Sequence, residues 1–291
     1  MINIELLFKH ISVKVLPFKI PKPENEILVY QEDVATFFYD KLHQHEEIQI
    51  SWIVNGEGTL VIGDTVSDYQ KDDILIFGSN LPHVFKSDPI ENVKSKMLSI
   101  FFSRNSFGKE FFALKEFEIL NVFFTKSEHG FRVISNKMML QKKFLKLKRA
   151  SKLQRFIILF EVLELLSNSE TEILSFFIYH KNYNDNEGKR MSAIFDFTMN
   201  SFAENITLEE VANIANMTPN AFCRYFKQRT NKTYIQFLTE LRIEHSAKLL
   251  RKSRDISIAE TAILSGFTNI SNFNRKFKLL KKMTPVQFRG N

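Results

Sequence analysis

The residues from Glu47 to Val54 alternate between polar and apolar side chains for most of their length, as a strand with one buried face does. The four residues that follow, Asn-Gly-Glu-Gly at 55–58, can adopt the positive φ that a tight hairpin requires. Similar β-type runs lie at 59–62, 73–77 and 97–102. Short strands at this spacing predict a β-sandwich or a small barrel over about 27–102.

Helical periodicity replaces this pattern after about residue 110. Apolar residues at 111–120 and 153–166 recur at helical spacing, with polar residues on the opposite side. We therefore predict a helical segment over about 111–181, which either packs onto the barrel or mediates self-association. The polar, turn-rich residues after it predict a linker at 182–190.

The fold class that these patterns predict is α+β. The first domain, 1–181, would hold a β-barrel followed by helices. The second, 191–291, is helical throughout and contains two helix-turn-helix motifs, at about 207–229 and 257–280.

The two motifs are copies of one pattern. In each, an alanine lies four residues before a residue that tolerates a left-handed helix end, Asn216 in the first copy and Gly266 in the second. Thr218 then precedes a proline, which is the usual order of an N-cap and a first helical residue. The phenylalanines that would face the core in the second helices are Phe222, Phe226, Phe273 and Phe277. One such match would be weak support, whereas two in register are strong.

The chain between the motifs predicts a rigid spacer. Thr233–Lys252 contains no Gly or Pro and predicts one helix of about 20 residues, or about 30 Å. Such a rod would hold two recognition helices about one turn of DNA apart, ~34 Å, so that both enter successive major-groove faces. His245 on this helix is predicted to pack against its neighbours rather than to bind a ligand.

Charge is distributed unevenly. The net charge is +7, yet residues 190–291 hold 16 Lys and Arg against 8 Asp and Glu, which leaves −1 for the rest. This asymmetry indicates a nucleic-acid-binding module joined to a near-neutral one. The single cysteine, Cys223, excludes an intrachain disulfide. Met1–Ile20 has no signal-peptide core and no stretch reaches the ~18 apolar residues of a spanning helix, so we expect a soluble, cytoplasmic protein without a membrane partner.

The motifs in the last third carry a family resemblance. Its residues are Gly266-Phe267, Phe273, Arg275, Phe277-Lys278 and Thr284 to Arg289 in the second half, and Leu208, Ala212, Phe222, Arg224, Phe226, Lys227 and Leu241-Arg242 in the first. They make residues 191–290 similar to the DNA-binding domain of the AraC/XylS family of bacterial transcription regulators. Three residues depart from the family's glycines, namely Asn216, Asn231 and Lys282. The resemblance implies double-stranded DNA as a partner, a homodimer, and RNA polymerase as a further partner if the protein is an activator.

In that family both second helices read bases in the major groove. By this resemblance Arg224 and Arg275 are the strongest candidates for base contacts, because a guanidinium can bond guanine O6 and N7 together. The alternative for each is a phosphate contact or a plain surface position. The predicted DNA-binding residues are Thr218, Asn220, Ala221, Cys223, Arg224, Lys227, Asn269, Ser271, Asn272, Asn274, Arg275 and Lys278.

The front of the chain resembles a cupin, through the run His43-Gln44-His45, then Gln49, and a distant His83. Strand parity puts the first two histidines and Gln49 on one interior face, opposite to Trp52. Metal-dependent cupins have a glutamate where this chain has Gln49, and a neutral amide is a poor ligand for a divalent metal. We therefore assign His43, His45, Gln49 and His83 to a pocket for a small-molecule effector, with no metal and no cofactor. Three imidazoles that bind zinc or iron(II), and histidines with a purely structural role, remain as alternatives.

The sequence thus predicts a sequence-specific transcription regulator, an activator or a repressor, and not an enzyme. One alternative is a metal-dependent cupin enzyme with a helical tail, which the missing glutamate disfavours. The other is a non-specific architectural DNA binder, whose affinity would follow the salt concentration but not the DNA sequence.

Overall fold

The computed structural model describes residues 27–89, 91, 93–177, 185–253 and 255–290. The predicted absence of a signal peptide therefore concerns residues outside the described ones. The fold is mixed α+β, as predicted, with antiparallel strands followed by a helical C-terminal part. The strands are β1 (Leu28–Ala35), β2 (Ile48–Asn55), β3 (Gly58–Ile62), β4 (Thr65–Tyr69), β5 (Ile74–Phe77), β6 (His83–Ser87), β7 (Ser95–Phe102), β8 (Phe131–Val133) and β9 (Thr171–Ile173).

The strands form two sheets and not the closed barrel that the sequence predicts. The larger sheet has the order β1-β7-β2-β5-β8-β9, and the smaller has the order β4-β3-β6. Within the described residues, β3 pairs with β4 along one edge and with β6 along the other, so neither edge is left to pair with the larger sheet. Outside the strands, one isolated bridge joins His43 to His83. No ladder therefore closes the sheets on each other.

The two sheets pack face to face, because each contributes apolar side chains to one shared cluster. Ile53 and Phe77 reach into it from the larger sheet, and Leu60 and Phe85 from the smaller. The alternate residues of the larger sheet face away from this cluster and pack against helices. Trp52 is one of these, buried against Phe144 with their ring centroids 6.3 Å apart.

The segment predicted as helical over 111–181 is mostly, but not wholly, helical over its described residues, 111–177, and 178–181 lie outside the described residues. Two short 3₁₀ helices, Phe111–Ala113 and Lys115–Leu120, precede the α-helices. These are α1 (Asn121–Glu128), α2 (Lys137–Leu147) and α3 (Lys152–Ser167). Strands β8 and β9 interrupt them and extend the larger sheet beyond β5. The prediction missed both strands because a three-residue strand carries too little periodicity of its own.

The C-terminal part contains only helices in its described residues, as predicted. They are α4 (Asp185–Ser201), α5 (Leu208–Ile214), α6 (Pro219–Thr230), α7 (Tyr234–Lys252), α8 (Ile258–Leu264), α9 (Ile270–Lys281) and α10 (Pro285–Gly290). Helix α4 starts earlier than the sequence predicts. Residues 185–190 of the predicted linker are therefore helical, whereas 182–184 lie outside the described residues.

The outer face of the smaller sheet packs against the helical part. Val61 and Val84 on this face share a cluster with Phe195 of α4 and Leu238 of α7. The two parts are thus joined through a common apolar core. Within the described residues, no helix is both long and apolar enough to cross a membrane.

Candidate nucleic-acid interface and effector pocket

The first helix-turn-helix unit is α5 and α6. Thr207 caps α5 in a reciprocal capping box, in which its side chain accepts from the Glu210 N–H and the Glu210 carboxylate accepts from the Thr207 N–H. Asn216 follows α5 with a φ of 54°, and the next N–H, of Met217, donates to the carbonyl of Ala212 at 2.9 Å. The left-handed residue therefore reverses the chain towards α6, as the sequence predicts.

The second unit, α8 and α9, repeats this geometry. Gly266 has a φ of 82°, and the Phe267 N–H donates to the carbonyl of Ala262 at 2.9 Å. A Cβ on Gly266 would lie 2.7 Å from the Phe202 carbonyl oxygen and 2.8 Å from the Arg242 Nε. Glycine is therefore required here for space as well as for conformation, whereas Asn216 is exposed.

The second helix of each unit buries its phenylalanines and exposes its polar side chains. Phe222, Phe226, Phe273 and Phe277 are all fully buried. Of the twelve predicted DNA-binding residues, eleven are exposed, and Ala221 is half-buried. The exposed ones are Thr218, Asn220, Cys223, Arg224 and Lys227 on the first unit, and Asn269, Ser271, Asn272, Asn274, Arg275 and Lys278 on the second.

Two of these residues have a structural role that is visible in the geometry. The hydroxyl of Thr218 accepts from the Ala221 N–H at 3.4 Å, and the side-chain oxygen of Asn269 accepts from the Asn272 N–H at 2.9 Å. They are the N-caps of α6 and α9. The other N–H groups of a helix's first turn have no partner within the helix, and a helix N-terminus of this kind is suited to hold a phosphate.

The two candidate base-reading arginines differ in their surroundings. The Nη2 of Arg275 donates to the Oδ1 of Asn272, one turn earlier on α9, at 2.9 Å. Arg224 makes no hydrogen bond or ion pair among the described residues, although it is equally exposed. Arg275 is therefore held along its helix, while Arg224 is free to extend.

Helix α7 joins the units as a single rod. It has 19 residues, which corresponds to about 28 Å, and Thr233 caps it with a second capping box.

Asn231 and Lys282, which end α6 and α9, have φ values of 56° and 61°. Although neither residue is glycine, both helices therefore keep the left-handed turn at their ends.

His245, on α7, packs as predicted, with its ring 4.8 Å from that of Phe202 and its Nδ1 3.3 Å from the Ser265 hydroxyl.

The structure brings the four predicted pocket residues together between the two sheets. His43, His45, Gln49 and His83 are each at most 4% exposed. The Oε1 of Gln49 lies 3.1 Å from the Nε2 of His45 and 3.2 Å from the Nε2 of His83. Burial lowers the pKa of His43 to about 3 and lowers the pKa values of His45 and His83. All three rings are therefore neutral at physiological pH.

A cavity of about 360 Å³ opens beside this cluster. His43 and Gln49 form part of its wall, together with Asp33, Tyr39, Met97 and Phe101. Desolvation by burial raises the pKa of the Asp33 carboxyl. The cavity thus combines aromatic walls with a few polar groups, as small-molecule sites do.

Some of these residues were not predicted from the sequence. Asp33 joins the cavity because β1 pairs with β7, and no local pattern reveals such a long-range pairing. Ser51, which accepts from the Gln49 Nε2 at 2.8 Å, follows two residues later on the same strand. The alternation of side chains along β2 was the sequence signal that could have placed Ser51 on the same face as Gln49.

Two family models match the chain, in the order in which the structure shows the two parts. An AraC-like ligand-binding domain matches residues 25–100, and a helix-turn-helix domain matches residues 211–291. In both of its parts the chain is therefore similar to AraC-type transcription regulators.

Three individual relatives each match about a third of the chain. An uncharacterized regulator of Bacillus subtilis, YdeC, is 31% identical over 100 residues, which are 34% of this chain and 34% of the relative. The activator RhaR of Mannheimia succiniciproducens is 28% identical over 35% of this chain and 36% of its own length. Among solved structures, the C-terminal domain of the response regulator AraT from Geobacillus stearothermophilus is 30% identical over 34% of this chain and 82% of that chain, with a TM-score of 0.32. The chain thus spans about a third of the length of these two curated relatives.

Proposed function

We propose that the chain is a sequence-specific regulator of transcription that binds double-stranded DNA through α6 and α9. The observation that carries this proposal is the repeated unit. Two helix-turn-helix units have the same turn geometry, and each exposes a row of polar side chains on its second helix. One uninterrupted helix of 19 residues joins them. Since its length is close to one DNA turn, the two recognition helices can enter successive major-groove faces.

The exposed side chains have distinct roles in this proposal. Arg224 and Arg275 contact guanine in this proposal, since both are exposed on a recognition helix. Lys227 and Lys278 contact phosphates, and Ala221 and Cys223 make small apolar contacts, for instance with a thymine methyl group. Asn220, Ser271, Asn272 and Asn274 contact bases or sugar-phosphate, while Thr218 and Asn269 cap their helices and orient the first turns towards the backbone.

The front part regulates this activity in our proposal. Its cavity of about 360 Å³ takes a small-molecule effector, and the helices after the strands contribute to a homodimer. RNA polymerase is a further partner if the outcome is activation. The boundaries that we propose for the two parts are 1–181 and 191–291. Because the two curated relatives are named as transcriptional regulators, we propose no catalytic role for either part.

Footprinting of the full chain on DNA selected from random sequence tests the proposal. We expect two protected patches per subunit, about one helical turn apart on one side of the duplex. One short patch per subunit, or protection that follows the salt concentration but not the sequence, contradicts it.

Substitution of the two arginines sharpens the test. We expect Arg224→Ala or Arg275→Ala to weaken binding to the selected site by about 1–3 kcal/mol and to relax the preference at one base. Arg149→Ala is the matched control, since Arg149 is an exposed arginine in the front part. Competition binding with selected and random DNA measures the effect, and an equal loss on both DNAs would refute base reading.

A further inference from the structure

The cavity in the front part contains a carboxylate that has no cationic partner among the described residues. Asp33 lies on β1 opposite Met97 of β7, on the face of the larger sheet that looks towards the smaller one. In the described part of the chain, its one hydrogen-bond partner is the side-chain amide of Gln31, which donates to the Oδ1 of Asp33 at 2.7 Å. An amide carries no charge, so the negative charge of Asp33 stays uncompensated in the cavity wall.

The neighbouring carboxylate on β1 shows the opposite arrangement. Side chains alternate along a strand, so Glu32 faces the other side of the sheet. There its carboxylate pairs with the Lys96 Nζ at 2.7 Å and with the Lys148 Nζ at 2.9 Å. These two partners lower the pKa of Glu32, whereas desolvation raises the pKa of Asp33. Of two adjacent acids, one is therefore neutralised and the other is not.

The rest of the wall does not supply the missing positive charge. Within the described residues, no lysine and no arginine lines the cavity. His43 stays neutral because burial lowers its pKa to about 3, and Gln49 is an amide. The cavity therefore has a net negative character.

Aromatic side chains form much of the remaining wall. They are Phe37, Phe38, Tyr39, Phe85 and Phe101. Phe37 and Tyr39 are 57% and 42% exposed, so their rings are accessible to a ligand. The face of such a ring attracts a cation that lies within about 6 Å of its centroid. Aromatic walls around one unpaired carboxylate thus favour a positively charged ligand over a neutral or a negative one.

We propose that the front cavity takes a compact organic cation, an amine with an apolar body, whose ammonium group binds the Asp33 carboxylate. This inference rests on the effector role proposed above for the same cavity. The ammonium N–H groups donate to the carboxylate oxygens, and the apolar body lies against the aromatic side chains. A cation at this position also favours the ionised form of Asp33, which opposes the effect of burial. A volume of about 360 Å³ is near the lower end of the range for small-molecule sites, so the ligand is compact.

Binding of three probes of similar size and different charge to the full chain, without DNA, tests the inference. The probes are 2-phenylethylammonium, neutral 2-phenylethanol and anionic phenylacetate, and saturation-transfer NMR measures their affinities. We expect the ammonium probe to bind about tenfold or more tightly than the alcohol, and phenylacetate to bind more weakly still. Equal or tighter binding of the alcohol or of phenylacetate overturns the inference. No binding of the ammonium probe at millimolar concentration also overturns it.

Variants assign the preference to Asp33. Asp33→Asn removes the charge and keeps an acceptor oxygen for Gln31, so it should weaken binding of the ammonium probe by about tenfold and leave binding of the alcohol unchanged. Glu116→Gln, at an exposed acid on the second 3₁₀ helix, is the matched control and should change neither affinity. No loss in Asp33→Asn, or an equal loss in both variants, overturns the inference. If Asp33→Asn fails to fold, the three probes on the unaltered chain decide.

Footprinting with the ammonium probe separates this inference from the proposed regulation of DNA binding. Selective binding of the probe that leaves the protected patches unchanged supports the cation site and contradicts the effector role. A chain that protects two patches on DNA as proposed, but shows no preference for the ammonium probe, overturns the cation site alone.

Discussion

The two helix-turn-helix units share one geometry but differ in what supports them. The phenylalanines of α6 belong to a cluster that continues through α4 and α7 into Val61 and Val84 of the smaller sheet. The phenylalanines of α9 belong to a separate, smaller cluster built with Ile243 and Leu250 of α7. The first unit is therefore packed against the front part, while the second relies on its own few apolar residues.

The C-terminal half of α7, which packs with the second unit, reaches the front part through charged groups instead. Lys248, on the C-terminal half of α7, donates to the Thr59 hydroxyl at 2.7 Å and to the Asp88 carboxylate at 2.9 Å. Arg251 pairs with Asp68 close by. The apolar core of the first unit thus continues into the front part, whereas the end of α7 that packs with the second unit meets the front part through ion pairs. A change in the front part would reach the two recognition helices through different physical interactions.

The largest expected effect comes from opening a cavity in either unit. Phe226→Ala and Phe277→Ala each remove a fully buried ring, at a cost of about 3–5 kcal/mol. We expect Phe277→Ala to increase hydrogen exchange only within 258–290 and the C-terminal half of α7, because its cluster is separate. Phe226→Ala should increase exchange in α4, α6 and the smaller sheet together. Exchange that rises equally along the whole C-terminal part in both variants would contradict the difference between the units.

An intermediate effect is expected at the charged contact. Asp88→Asn removes the negative charge that pairs with Lys248. Lys248 is 9% exposed, and burial lowers its pKa. We expect a loss of about 1–3 kcal/mol in the free energy of unfolding, measured by urea denaturation at low salt. Part of this loss should disappear in high salt, since salt screens the exposed pairs nearby. Glu209→Gln, at an exposed site on α5, is the control, and a loss of the same size there would show that the contact is not specific.

The smallest effect concerns the helix ends. Lys282 has a φ of 61°, a conformation that costs a residue with a Cβ about 1–2 kcal/mol and costs glycine far less. Lys282→Gly should therefore stabilise the second unit by up to about 1 kcal/mol, as a shift in thermal midpoint would show. Asn231→Gly ends α6 at nearly the same φ, but asparagine tolerates it, so its gain should be smaller. A larger gain at Asn231 would contradict this reasoning.

The sequence predicted best what local interactions decide. The cap at Thr218, the left-handed turns at Asn216 and Gly266, and the run of α7 all depend on residues within a few positions of each other. Strand parity likewise placed Trp52 opposite to the histidines, because alternation is a property of a single strand.

What depends on distant pairing was predicted less well. The sheets stay open because β3 uses both its edges within the smaller sheet, which β3 alone does not reveal. On α7, Ile243 is buried whereas Ile235 is 51% exposed, a difference that the sequence of this helix alone does not reveal. The helix packs against α4, the second unit and the front part along different stretches, so one arc does not describe it.

The lone indole of the chain gives this molecule a built-in reporter. Trp52 is buried on the larger sheet against Phe144, on the face that looks away from the helical part. Its intrinsic fluorescence therefore records the melting of one half of the chain only. Far-ultraviolet circular dichroism is dominated by the ten helices, of which seven belong to the other half in the described residues. Following both signals in one sample would show whether the halves lose their structure together or in sequence.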